Sequence, residues 1–202
     1  MAIELTLPNM LELIAILSPI LLGFFLIMVS LFNQDVKGIV YLAGVLIASV
    51  INIFLMNIIK NNKKPDQSSV CDIISLPFIG AYNSPCTSSM FIAFTIAYLV
   101  LPMQYNNQMN YAVLITLLLM LAVNSVTKVL KKCTTYGGTV LGALVGLVMG
   151  AVWYSIFHMS GYDSLLYFDE LKSNNVQCSR PSKQSFKCSV YKNGQLISSN
   201  VV

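Results

Sequence analysis

Three short polar clusters interrupt the apolar sequence, and their side chains are of the kinds that hold phosphate. They read "KNNKKP" at residues 60–65, "PCTSS" at residues 85–89 and "TKVLKKCTT" at residues 127–135. A lysine binds phosphate as a point charge, and hydroxyl groups donate hydrogen bonds to its oxygens. The clusters therefore predict a phosphate pocket, provided that the fold brings them together. The ordinary alternative for the second cluster is a helix start, because Pro85 followed by Ser and Thr residues suits a first helical turn.

The composition of the chain places these clusters in a membrane protein. The chain has 202 residues, of which 56% are hydrophobic and only 10% are charged, and its mean hydropathy is +0.71. Soluble proteins carry roughly 25% charged residues. The net charge of +4 lies in loops and in the tail, so it bears on membrane orientation and gives no reason to expect a nucleic-acid partner.

Five apolar runs are long enough to cross a bilayer, which takes about 20 helical residues. The sequence thus predicts an all-α polytopic membrane protein, with spans at residues 11–32, 38–59, 88–103, 111–130 and 139–157. The first span is expected to remain as an anchor, since the N-terminus is acidic and no small-residue cleavage site follows. Residues 61–84 turn from polar to moderately apolar, which indicates a loop on or dipping into the membrane.

The sequence after the fifth span predicts a small soluble unit, which we call the tail. We expect a helical bundle at residues 1–158 and the tail at residues 159–202. Within "SFKCSVYKNGQLISS", two strand-like runs meet at Asn193-Gly194, which accepts the positive φ values of a tight hairpin turn. Cys178 and Cys188 flank the start of this β-hairpin and could staple it as a disulfide.

Lysine positions predict the orientation. After the second and fourth spans lie Lys60, Lys63, Lys64, Lys128, Lys131 and Lys132. The positive-inside rule then puts the N-terminus and these loops in the cytoplasm and the tail on the opposite, oxidising side. On this basis Cys71, Cys86 and Cys133 are expected to be free thiols buried as small apolar residues.

A glycine stripe marks the fifth span. Its members are Gly138, Gly142, Gly146 and Gly150. A spacing of four puts them on one helix face, where a second backbone can approach closely. We expect this face to pack inside the bundle, with homodimerisation as the secondary alternative.

Read in chain order, the three polar clusters resemble the three motifs of the phosphatidic acid phosphatase type 2 superfamily, which includes lipid phosphate and dolichyl pyrophosphate phosphatases. The family's motifs are a lysine followed by Arg-Pro, then Pro-Ser-Gly/Ser-His, then Ser-Arg, five residues and His. The stretch "TKVLKKCTTYGGTVLGALVGLVMGAVWY" is similar to the family's third-motif helix in its small residues and its Trp-aromatic end. The resemblance covers about residues 58–154 and implies a phosphatase-like helical bundle.

The resemblance also implies a pocket that has lost its chemistry. Ser88 and Thr134 stand where the family has its two catalytic histidines, and Lys64 and Lys128 stand where it has phosphate-binding arginines. Lys60 keeps the lysine of the first motif. A hydroxyl is a poor nucleophile without an adjacent base. No cofactor or metal is expected, because no Cys/His cluster has zinc spacing and no glycine-rich loop ends in Lys-Ser/Thr.

The single histidine does not restore this chemistry. His158 lies 24 residues beyond Thr134, which is about 36 Å along a helix. It is expected at the far membrane interface. A cysteine nucleophile at Cys86 or Cys133 is disfavoured because the only arginine, Arg180, lies in the tail.

These features predict a non-catalytic membrane structural or assembly protein on a degenerate lipid-phosphatase scaffold. Its expected partners are the lipid bilayer, anionic or phosphorylated lipid, and other membrane or capsid proteins. The Asn-, Lys- and Ile-rich composition is similar to that of membrane proteins of large DNA viruses, which implies a virion internal membrane. The alternatives are a lipid (pyro)phosphate phosphatase and a lipid-phosphate binder. A channel or transporter is disfavoured, because few ionisable residues lie within the spans.

Overall fold

The architecture is described from a computed structural model. It describes residues 7–61, 71, 82–168, 187–192 and 195–201. The chain forms two compact units, residues 1–171 and residues 172–202.

The first unit contains five long helices, as the hydropathy pattern predicts. They are α1 (Leu7–Phe32), α2 (Lys37–Ile59), α3 (Thr87–Tyr105), α4 (Tyr111–Leu130) and α5 (Tyr136–Met159). All five are long and apolar enough to cross a membrane. The predicted bounds of α4 match those observed, and each of the other helices begins one to four residues before the predicted span. The multi-pass helical architecture is therefore confirmed.

Helix α3 lies at the centre of this bundle. It packs against the other four helices, and two thirds of its span is buried although it is the least apolar of the five. Its Met90, Phe94 and Tyr98 are fully buried, and Tyr41 of α2 packs onto the last two rings. Because its neighbours shield it from lipid, α3 needs less hydrophobicity than a lipid-facing helix.

The glycine stripe of α5 is the surface on which α3 packs. Gly142, Gly146 and Gly150 lie against the backbone of α3 and of Cys86 just before it; an ideal Cβ on Gly150 would lie 2.6 Å from the carbonyl oxygen of Phe94. Gly138 lies beside the side chains of Thr134 and Ser84 instead. Without side chains in between, the two backbones come close enough for extensive van der Waals contact. The stripe is thus occupied within one chain.

Polar side chains join the helices at three further places. Asn124 Nδ2 of α4 donates to the carbonyl oxygen of Ala15 on α1 at 2.6 Å. The hydroxyl groups of Tyr41 on α2 and Thr95 on α3 share a hydrogen bond of 2.7 Å. Trp153 Nε1 of α5 donates to the carbonyl oxygen of Val40 on α2 at 3.2 Å. Such bonds between membrane helices each contribute about 0.6 kcal/mol on average.

The residues that follow α5 fold back onto the bundle. A 3-10 helix spans Asp163–Leu165, the next residue Leu166 is 1% exposed, and Tyr167 Oη donates to the carbonyl oxygen of Leu26 at 2.8 Å. Burial, together with the nearby Asp35 carboxylate, raises the pKa of Tyr167 to about 12. Residues 159–168, which the sequence assigned to the tail, thus belong to the first unit.

The second unit contains two antiparallel strands, β1 (Lys187–Lys192) and β2 (Gln195–Val201). Lys192 pairs with Gln195 at one end, and Lys187 pairs with Val201 at the other. The turn Asn193-Gly194 and Cys178 lie outside the described residues. A hairpin stapled by Cys178 and Cys188 therefore stays a prediction.

Candidate functional site at the basic end of the bundle

One end of the bundle gathers the starts of α1, α3 and α5 and the ends of α2 and α4. We call it the basic end, after Lys60, Lys128, Lys131 and Lys132. The amide of Asn83, before α3, donates to the carbonyl oxygen of Asn61, after α2, at 3.1 Å. The amide of Cys86 donates to the carbonyl oxygen of Gly138 on α5 at 2.8 Å. These backbone contacts fix residues 83–86 between α2 and α5.

Two residues of the predicted phosphate pocket touch each other here. Lys128 lies in the last turn of α4, and its Nζ donates a hydrogen bond to the Oγ of Ser88 in the first turn of α3. Both side chains are half-buried. A helix N-terminus carries a partial positive charge, so the ammonium group and the start of α3 together favour a negatively charged ligand.

Thr134 is part of the same end but has a structural role. It is 6% exposed, and its Oγ1 donates to the carbonyl oxygen of Asn83 at 2.9 Å. The next residue, Thr135, caps α5 by accepting a hydrogen bond from the amide of Gly138 at 3.1 Å. Two adjacent threonines thus fix the start of α5. The side chain of Thr134 binds the backbone of Asn83, and the side chain of Thr135 binds the first turn of α5.

The remaining pocket residues lie along the connection between α2 and α3. Lys60 ends α2 in a left-handed backbone conformation with φ of 50°, and its side chain is exposed. Lys64 lies outside the described residues. Of the five predicted pocket residues, the structure therefore joins Lys128 to Ser88, ties Thr134 to the segment before α3, and leaves Lys60 at the surface.

A disulfide at this end corrects the prediction that its cysteines are free thiols. Cys71 and Cys133 are bonded, with Cα atoms 5.4 Å apart and a sequence separation of 62 residues. That Cα distance is typical of a disulfide. The sequence could not reveal the bond, because nothing local indicates that residue 71 returns to the α4–α5 connection. Cys86 is a buried free thiol.

Two contacts at the basic end were not anticipated. Glu12, expected among the headgroups, forms an ion pair with Lys131 at 2.7 Å, which joins the start of α1 to the end of α4. Asn52 is fully buried and donates to the carbonyl oxygen of Pro85 at 3.4 Å and to the Oγ1 of Thr87 at 3.3 Å. An asparagine inside an apolar run was the available signal, since polar residues in membrane helices usually face the interior.

His158 lies at the opposite end of α5. Its Nδ1 is 2.7 Å from Asp163 Oδ1, and its ring stacks on Tyr154 and meets the edge of Tyr105. These contacts join the ends of α3 and α5 to the 3-10 helix. The histidine is therefore a packing residue at the end of the bundle away from Ser88.

Metal coordination finds no support in the part of the chain that the structure describes. No group of three or more His, Cys, Asp and Glu side chains in those ranges could hold a metal ion. In the described ranges, the polar groups at the basic end are lysine ammonium groups, hydroxyls, amides and the carboxylate of Glu12, which is paired with Lys131. Such a set can bind an anion or a lipid headgroup.

Comparison with protein-family models, with curated proteins and with solved structures finds no match to this chain.

Proposed function

We propose that the chain is a non-catalytic integral membrane protein that serves as a scaffold or assembly component. The observation that carries this proposal is the hydrogen bond from Thr134 Oγ1 to the carbonyl oxygen of Asn83. The hydroxyl that would have to attack phosphorus instead holds the start of α5 against the segment before α3. A peptide carbonyl does not take up the proton of an alcohol, so this contact does not activate the oxygen.

The neighbouring groups support the same conclusion. Ser88 accepts a hydrogen bond from Lys128, and an ammonium donor makes the serine oxygen less nucleophilic. Among the described residues, the carboxylate that reaches this end is Glu12, and it is paired with Lys131. The two hydroxyls therefore act as hydrogen-bonding groups of the fold, which is the role expected of a retired active site.

The degenerate phosphatase ancestry and a setting in the internal membrane of a virus particle are further parts of this proposal. They rest on the order of the three polar clusters and on composition. In such a setting the five helices would anchor the protein, and the tail would contact a membrane or capsid protein.

A second candidate, a binder of lipid phosphate, is favoured by one contact. Lys128 extends from the end of α4 to the first turn of α3, so a positive side chain meets the positive end of a helix. A lysine near an anionic membrane surface contributes about 1 kcal/mol. This candidate shares the site with the scaffold proposal and differs only in requiring a bound headgroup.

Phosphate release tests the proposal directly. Purified protein in lipid vesicles is supplied with phosphatidic acid and with an isoprenyl pyrophosphate, and released phosphate is measured. We expect no release above protein-free vesicles. Release that is lost on Lys128→Ala would contradict the proposal. A variant with Ser88→His, Thr134→His, Lys64→Arg and Lys128→Arg tests the pocket, because recovered release would show that a phosphatase geometry survives.

Lipid retention separates the two candidates. The protein is purified from vesicles containing phosphatidic acid and phosphatidylcholine, and the lipids that remain bound are counted by mass spectrometry. Retention of phosphatidic acid that drops several-fold in Lys128→Ala supports the binder. The matched control is Lys192→Ala, which removes the same charge from β1. If the native protein and both variants retain equal amounts of phosphatidic acid, only the scaffold role is supported.

A further inference from the structure

The Cys71–Cys133 disulfide lies at the basic end, where it joins the α2–α3 connection to the α4–α5 connection. Disulfides form and persist in oxidising compartments and are rare where cellular thiols are kept reduced. We infer that the basic end and the N-terminus face an oxidising compartment, and that the tail faces the reducing side. This orientation is the reverse of the one expected from the lysine positions.

The distribution of charge opposes this orientation, so the lysines and the disulfide make different predictions. The chain has 12 Lys and Arg residues. Six lie in the sequence at or shortly after the ends of α2 and α4: Lys60, Lys63, Lys64, Lys128, Lys131 and Lys132. The other six follow α1 or α5: Lys37, Lys172, Arg180, Lys183, Lys187 and Lys192. The positive-inside rule counts charges within about 15–20 residues of the end of a span. Arg180, Lys183, Lys187 and Lys192 lie farther than that from the end of α5 at Met159. The count is therefore six against two and favours a cytoplasmic basic end.

One of the lysines at the basic end is paired, although acidic residues contribute little to the positive-inside rule. Lys131 forms an ion pair with Glu12 at 2.7 Å. The counterion lies on α1, the first span to enter the membrane. The positive-inside rule is a statistical tendency, and the more specific chemical requirement comes from the Cys71–Cys133 disulfide. Its formation removes two electrons and two protons from two thiols, which a disulfide-exchange oxidant of an oxidising compartment accepts.

On this inference, the observed Cys71–Cys133 disulfide and the predicted Cys178–Cys188 disulfide exclude each other. Five crossings put Cys71 and Cys133 on one side of the membrane and Cys178 and Cys188 on the other. Only one of the two sides is oxidising, so the inferred orientation predicts that Cys178 and Cys188 remain thiols. The predicted staple of the tail is then absent. The Ser88–Lys128 contact faces the leaflet of the oxidising side, and any headgroup it binds comes from there.

Counting cysteines by mass tests which bond exists. The full-length chain is synthesised with sealed microsomes, whose lumen is oxidising. Free thiols are blocked with a small maleimide under denaturing conditions, the disulfides are reduced, and the new thiols are labelled with a polyethylene-glycol maleimide. We expect two labels on the unmodified chain, none on Cys71→Ser or on Cys133→Ser, and two on the matched control Cys178→Ser.

Protease protection of the unsubstituted chain tests the orientation without relying on any variant. Trypsin added outside sealed microsomes reaches only the cytosolic side. We expect it to remove the tail, which carries four cleavable lysines, and to leave the basic end intact until detergent opens the vesicles. A tail that stays protected while the chain is cut near residues 60–64 would overturn the orientation. Three results would overturn the assignment of the bond: no label on the unmodified chain, four labels on it, or loss of label in Cys178→Ser.

Discussion

Gly146→Ala tests the contact on which the bundle depends most. An ideal Cβ at this position would lie 2.9 Å from the carbonyl carbon of Met90 and 2.9 Å from the amide nitrogen of Phe94, and closer still to the Met90 carbonyl oxygen. All three atoms belong to the backbone of α3, so no side chain can rotate away. The methyl group can be placed only if α3 and α5 separate.

The magnitude follows from that separation. Non-bonded carbon contacts are most favourable at about 3.5–4.0 Å, so the helices must move apart locally by at least about 0.6–1 Å, and by more at the Met90 carbonyl oxygen. A gap of that size loses a quarter to a half of the dispersion energy between facing atoms, and overpacking of this kind costs about 1–3 kcal/mol. Alanine regains up to about 1 kcal/mol of helix propensity. We expect a net loss of about 2 kcal/mol in the free energy of unfolding.

Gly137→Ala is the matched control on the same helix. A Cβ at Gly137 meets nothing within 4 Å, so the propensity gain remains without the clash, and we expect unchanged or slightly higher stability. The assay is unfolding of the detergent-purified protein by added SDS, followed by the fluorescence of the single tryptophan, Trp153, which lies on α5 itself. If the two variants unfold within about 0.5 kcal/mol of each other, the packing argument is wrong.

Substitutions at three further residues test individual contacts by the same unfolding assay. Asn124→Ala removes the hydrogen bond to the carbonyl oxygen of Ala15 and should lower the free energy of unfolding by about 1 kcal/mol. Asn124→Leu should cost less, because it also removes the buried Oδ1, which has no partner within the described residues. A loss in Asn124→Leu equal to or larger than that in Asn124→Ala would contradict this expectation. Glu12→Gln breaks a half-buried ion pair with Lys131 and should lower the free energy of unfolding by less than about 1 kcal/mol. This loss should disappear in about 1 M salt, which screens the two charges. A larger loss that persists in salt would show that the ion pair acts as a buried one. Tyr167→Phe should cost about 1 kcal/mol at neutral pH. Since the folded-state pKa of Tyr167 is raised from 10.0 to about 12, the native protein keeps its full advantage below about pH 10 and loses stability relative to the variant as the pH rises from 10 through 12. The difference between the two proteins should therefore shrink and then reverse in that range.

The helices were the predictable part of the fold, because helix formation in lipid is a local requirement. Every backbone amide and carbonyl must be satisfied inside the segment itself. An apolar run therefore indicates its own structure, and residues 111–130 were delimited correctly by hydropathy alone. The position of each helix in the bundle was not predictable in this way. Helix α3 looked like the weakest span and proved to be the central one.

The candidate site was predictable only in part. The sequence placed Ser88 and Lys128 at the ends of their spans, and the structure joins them. It gave no indication that Thr134 binds the backbone of Asn83 or that Glu12 reaches Lys131. These contacts depend on how far each helix is shifted along its neighbour, a quantity that no single segment encodes.

The sequence by itself determined the number of spans, their bounds to within a few residues, and the small-residue face of α5. These properties follow from bilayer thickness and helical periodicity, which act on each segment separately. Only the tertiary structure decided that this face packs on α3, that residues 159–168 return to the bundle, and that Cys71 meets Cys133. Each of these joins segments far apart in the chain, and such contacts form only when several helices have settled against one another.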